Sequence, residues 1–128
     1  MILADAGIVI AYLRGNDTKL VRLADTLPLA VCGVTQAEVL HGVRSPAERI
    51  DTVALLDSFL QVATPEAIWD ASGDNLAMLR AAGVSVPFPD AILATLAIAL
   101  GIELWVRDKH FPAMTGYLIG LKLYAEAP

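Results

Sequence analysis

Four carboxylates, Asp5, Glu38, Asp90 and Asp108, lie far apart in the chain yet stand in similar surroundings. A short apolar run precedes three of them and a helix start follows each, so they read as residues where strands run out into helices. In a parallel α/β sheet such exits converge on one edge, where ligands bind. Two unit charges about 4 Å apart repel by roughly 4 kcal/mol at an effective dielectric near 20. A hard divalent cation, Mg²⁺ or Mn²⁺, relieves that repulsion, and a cation so held acts naturally on phosphates.

The elements that must position these acids follow from hydrophobic spacing and from proline and glycine punctuation. Met1–Ala4 reads as a strand and Gly7–Leu13 as a helix, followed by a second helix capped by Asp17 and running to about Thr26. Leu29–Gly33 is a second strand, and a helix starts at Thr35. Ser45-Pro46 opens a helix over Ala47–Leu60, Gln61–Ala63 is a brief third strand, and Thr64-Pro65-Glu66 opens a long helix ending at Gly83. After the loop Val84–Pro89 come a helix over Asp90–Leu100, a fourth strand over Ile102–Val106, a short helix over Lys109–Met114 and a fifth strand over Leu121–Tyr124. This alternation predicts an α/β fold: a parallel sheet of about five strands with helices on both faces, residues 1–128 forming a single domain.

Hydrophobic residues make up 56% of the chain and the mean hydropathy is +0.60, which fits a sheet buried on both faces plus an apolar surface that needs a partner. The longest apolar run, Ala91–Ile102, falls short of the ~20 residues that span a bilayer. With no signal-peptide pattern and a single cysteine, Cys32, read as a buried thiol, the expected location is cytoplasmic. The net charge of −5 argues against a nucleic-acid binder. With the four acids set aside, however, 9 basic residues face 10 acidic ones, a net of −1, so the negative charge is concentrated in the candidate site.

Each acid has an ordinary explanation when taken singly. Asp5, Asp90 and Asp108 fit helix-capping positions, and Glu38 fits a capping box with Thr35. Capping is equally well served by Ser, Thr or Asn, yet all four positions carry a carboxylate. The strings around them are distinctive: Met1-Ile-Leu-Ala-Asp5-Ala-Gly-Ile-Val-Ile-Ala-Tyr-Leu-Arg-Gly15, Val34-Thr-Gln-Ala-Glu38-Val-Leu-His-Gly42, Pro87-Phe-Pro-Asp90-Ala-Ile-Leu-Ala-Thr95 and Leu104-Trp-Val-Arg-Asp108-Lys-His-Phe111. In order and across essentially the whole chain they resemble the PIN-domain signature, most closely its VapC toxin branch. The resemblance implies a small three-layer α/β/α sandwich whose acids gather metal at the C-terminal sheet edge. It also implies a ribonuclease held inactive by a cognate antitoxin, and a homodimer. Two positions depart from that pattern: Ala6 and Val106 stand where the toxins often carry Thr or Ser, which puts the rate in question rather than the fold.

The chemistry expected is metal-assisted hydrolysis of RNA phosphodiesters. Asp5, Asp90 and Asp108 are the candidate Mg²⁺ or Mn²⁺ ligands, and Glu38 holds a second ion or activates the attacking water. Arg14, Arg107 and Lys109 adjoin the acid-bearing segments and are the candidate phosphate contacts, with Arg14 alternatively facing the antitoxin. His41 and His110 read as packing or solvated residues, and Trp69 and Trp105 as core. The helix Ala47–Leu60 carries an apolar stripe of Ile50, Val53, Ala54, Leu56 and Leu60, part of which suits an antitoxin helix. A non-catalytic PIN-like module that binds metal or RNA stays open as the alternative, and carboxylate chemistry alone does not distinguish RNA from DNA. A receiver-like phosphoacceptor and an Asp-x-Asp phosphatase are disfavoured, since Asp5 is followed by Ala6-Gly7 with no paired acid.

Overall fold

A computed structural model describes residues 1–127. In chain order the elements are β1 (Ile2–Ala4), α1 (Ala6–Arg14), α2 (Thr18–Thr26), β2 (Leu29–Cys32), α3 (Gly33–His41), α4 (Pro46–Ser58), β3 (Leu60–Val62), α5 (Ala67–Ala81), α6 (Phe88–Leu100), β4 (Glu103–Trp105) and α7 (His110–Thr115). The strands form one parallel sheet in the order β3-β2-β1-β4.

The strand side chains alternate between two cores, as a period of two requires. Ile2, Ala4, Leu29, Val31 and Trp105 face one side, where α1–α4 supply Ile8, Val9, Leu20, Val39 and Leu56. Leu3, Ala30, Cys32 and Leu104 face the other, against Leu79 of α5, Leu93 and Leu96 of α6, and Phe111 of α7. The result is a three-layer α/β/α sandwich. The inner strands β1 and β2 are wholly apolar because neither of their faces meets water, whereas the edge strand β3 is exposed at Leu60 and Gln61.

The expected fifth strand is reduced to a single parallel bridge between Leu104 and Leu123. There the Leu104 amide donates to Lys122 O and the Tyr124 amide donates to Leu104 O, each at 2.9 Å. The tail is too short in register to form a ladder, but Tyr124 packs edge-on against Trp105 with ring centroids 5.2 Å apart. Trp105 is core, as its strand position predicts, whereas Trp69 is 42% exposed on the outer face of α5. Of the apolar stripe expected on α4, Leu56 is buried and Val53 half-buried, whereas Ile50 and Ala54 are exposed and Leu60 belongs to β3; Thr52, one turn before Leu56, completes the buried face. Thr52 fits there because its hydroxyl donates to Glu48 O, 2.8 Å away. Cys32 is buried. Among the described residues no helix is long and apolar enough to cross a membrane.

Candidate active site

Chain order reverses between β1 and β4. The chain runs outward from β1 through β2 to β3, then returns by α5 and α6 to place β4 on the other side of β1. In open α/β sheets the crevice at such a switch point, beyond the strands' C-terminal ends, is where ligands bind. Asp5 follows β1 directly and Asp108 lies three residues beyond β4. Glu38 and Asp90 do not stand at strand exits, contrary to the sequence expectation. Glu38 is in the second turn of α3, and Asp90 is in the first turn of α6.

Local chemistry explains how these four segments meet. Asp5 is the N-cap of α1, its Oδ1 accepting from the Ile8 amide at 3.0 Å, and its own amide donates to Trp105 O at 3.2 Å, fixing β1 against β4. The hydroxyl of buried Thr35 donates to Ala4 O at 3.2 Å. Thr35 therefore latches α3 to the end of β1 instead of forming a capping box, and Glu38, three residues on, projects from the same helix face. Asp90 makes no capping bond either, since the α6 N-cap is Pro87. Asp108 Oδ1 accepts from the His110 amide at 2.9 Å. A Cβ on Gly7 would lie 3.4 Å from Asp5 Oδ1, so the absent side chain keeps the space beside that carboxylate open.

The electrostatics record the crowding. Burial, opposed by the Ile8 hydrogen bond and reinforced by the charges of Asp90, Glu38 and Asp108, raises the Asp5 carboxyl from 3.8 to about 6. Burial and the Asp108 charge raise Asp90 to about 6, against the counter-effect of His110. Burial also raises Glu38. The Asp90 Oδ2 atom is buried with no hydrogen-bond partner. Ligand atoms of Asp90, Asp108 and His110 all lie within 4.8 Å of one another. An oxygen-rich, mutually repelling set with a buried lone pair unused fits a hard divalent cation.

His110, expected to be a packing or solvated residue, instead turns its ring toward the acids. Its Nδ1 lies 2.9 Å from Asp108 Oδ1 and 3.4 Å from Asp90 Oδ2. Its place two residues after Asp108, at the start of a short helix, was the available signal.

The cations expected at this edge are distributed otherwise. Lys109 is exposed beside Asp108 and takes part in no ion pair among the described residues. Arg107, in contrast, is held by two carboxylates. Its Nη1 reaches Asp17 Oδ2 at 2.6 Å, while Nη2 and Nε donate to Glu126 at 2.8 and 2.9 Å. It fastens the C-terminal tail to the start of α2, and the phosphate contact expected of it is not what its surroundings present. Arg14 ends α1, about 13 Å along the helix from the Asp5 end, and lines a groove of about 430 Å³ with Leu13, Val43 and Arg44.

Residues 2–117 match the family described as the PIN domain. The chain belongs to the PIN domain family. A curated relative, the ribonuclease VapC10 of Mycobacterium tuberculosis, is 33% identical over 116 residues, covering 88% of this chain and 86% of that protein. Solved structures share the fold. VapBC2 from Rickettsia felis, bound to a DNA fragment from its promoter, superposes with a TM-score of 0.79 at 17% identity, covering 97% of this chain and 98% of that one. VapBC-1 from nontypeable Haemophilus influenzae superposes with a TM-score of 0.77 at 21% identity, covering 97% of each.

Proposed function

We propose that this PIN domain is a divalent-metal-dependent endoribonuclease, the toxin of a toxin–antitoxin pair. What supports the reading is the approach of Asp90 and Asp108 to within 4.8 Å beyond the β1/β4 switch point, near enough to Asp5 and Glu38 for the charges to act on one another and help hold Asp5 and Asp90 up at about 6. The similarity to a ribonuclease of the VapC type supports RNA as the substrate.

Asp5, Asp90 and Asp108 would hold Mg²⁺ or Mn²⁺. The ion, when bound, acidifies water and stabilises charge on the phosphoryl oxygens. Glu38, raised by burial, is the general base that accepts the proton of the attacking water. Ile8 fixes the Asp5 carboxylate through its amide, so that group meets the substrate edge preorganised. Lys109, exposed beside Asp108, contacts the RNA backbone.

The groove at Leu13, Arg14, Val43 and Arg44, closed by Glu48 and Asp51 of α4, combines apolar walls with charges of both signs. That character suits the antitoxin, with Arg14 as one of its contacts. The homodimer that the resemblance implies is tested by sedimentation of the free protein.

The deciding assay is cleavage of a pool of structured RNAs by the free protein in Mg²⁺, in Mn²⁺ and in chelator. Discrete cuts that need metal and vanish in Asp5→Asn and Asp90→Asn support the enzyme. Intact folding and metal binding without cuts in either ion refute it in favour of the non-catalytic module.

A further inference from the structure

Three buried side-chain atoms among the described residues lack a hydrogen-bond partner, and two of them, Asp90 Oδ2 and His110 Nδ1, face each other 3.4 Å apart. Asp108 Oδ1 lies 2.9 Å from the same nitrogen without the alignment of a hydrogen bond, and it already accepts from the His110 backbone amide. A ring nitrogen and two carboxylate oxygens thus converge with capacity left unused. Adjacent ligands of an octahedral ion at about 2.1 Å sit about 3 Å apart. The two separations, 2.9 and 3.4 Å, straddle that spacing.

From this we infer that His110 Nδ1 is a ligand of the cation held by Asp90 and Asp108, and that it biases the site toward Mn²⁺ over Mg²⁺. The inference rests on the reading of this edge as a divalent-cation site and adds a nitrogen to it. Imidazole is a good ligand for transition metals, whereas Mg²⁺ takes oxygen ligands and keeps its waters. A site of carboxylates alone binds the two ions with one kind of donor. A site with one imidazole separates them. The packing that sets the ring is strong: Phe111, the next residue, is fully buried and anchors the start of α7 to the sheet. Nδ1 is buried against the two carboxylates, while the rest of the ring, 37% exposed as a side chain, forms the rim of the site.

The test is pulsed electron paramagnetic resonance of Mn²⁺ on the full chain, which detects a directly bound nitrogen and needs neither RNA nor turnover. Wild type should show ¹⁴N coupling, His41→Ala should keep it, and His110→Ala and His110→Gln should lose it. Titration should show Mn²⁺ affinity falling roughly tenfold in both His110 variants, with Mg²⁺ changing little. Bound Mn²⁺ without nitrogen coupling in wild type overturns the inference and leaves the cation site standing. Tighter binding of both ions by His110→Ala also overturns it, since the ring is then only a counter-charge. Absence of Mn²⁺ binding overturns both readings. Nitrogen coupling without RNA cleavage upholds the ligand while removing the nuclease.

Discussion

Replacing Asp5 by Asn removes a charge while keeping the helix cap, because an Asn Oδ1 accepts the Ile8 amide as the carboxylate does. The wild-type carboxyl is raised from 3.8 to about 6, chiefly by burial and then by the charges of Asp90, Glu38 and Asp108. A shift of that size, at about 1.4 kcal/mol per pH unit, means that the ionised form costs the metal-free fold roughly 3 kcal/mol. The folded state binds more protons than the unfolded one between these two values, so wild-type stability falls as pH rises from about 4 to about 6. The cost is absent below the unfolded value and complete above the folded one. Asp5→Asn escapes it. In metal-free thermal melts the variant should match wild type near pH 3.5 and exceed it by up to about 10 °C at pH 8. Millimolar Mn²⁺ should then stabilise wild type by binding the native state and leave the variant almost unmoved. A difference in melting temperature that stays constant from pH 3.5 to 8, or a variant less stable than wild type at pH 8, refutes the clustered-carboxylate reasoning.

Other consequences follow from single contacts. Thr35→Val strips the donor from Ala4 O and should cost about 1–3 kcal/mol in urea unfolding, with Thr35→Ser restoring most of it; equal stability of all three would remove the latch. Trp105→Ala should cost about 3–5 kcal/mol and Trp69→Ala less than about 1 kcal/mol, and in acrylamide quenching only Trp69 emission should respond strongly. Lys109→Gln should reduce the salt dependence of RNA binding by about one phosphate contact, whereas Arg107→Gln, whose side chain is held by Asp17 and Glu126, should leave the slope unchanged. A larger slope change for Arg107 than for Lys109 would return Arg107 to the RNA surface.

The apolar pattern already specifies the layering, and the residues around the acids specify the chemistry. Alternation of Ile2, Leu3 and Ala4, and of Leu29 to Cys32, specifies strands buried on both faces, and proline and glycine set most element boundaries to within a few residues. The four acids were legible because each sits in a distinctive string, and the PIN family was legible from those strings together. How the acids meet depends on contacts between elements distant in the chain. Strand order depends on which crossovers pack best, so the β1/β4 switch point beside Asp5 and Asp108 is not written in any local pattern. Glu38 and Asp90 arrive from helix turns rather than strand ends, because the Thr35 latch and the packing of α6 orient them. His110, Arg107 and Trp69 show the same limit. Lys109, Arg107 and His110 are all polar neighbours of Asp108 in sequence, yet one is exposed, one is tied to Glu126 at the far end of the chain, and one turns into the acids. Side-chain direction at a loop is set by partners distant in sequence, and those partners exist only once the chain has folded.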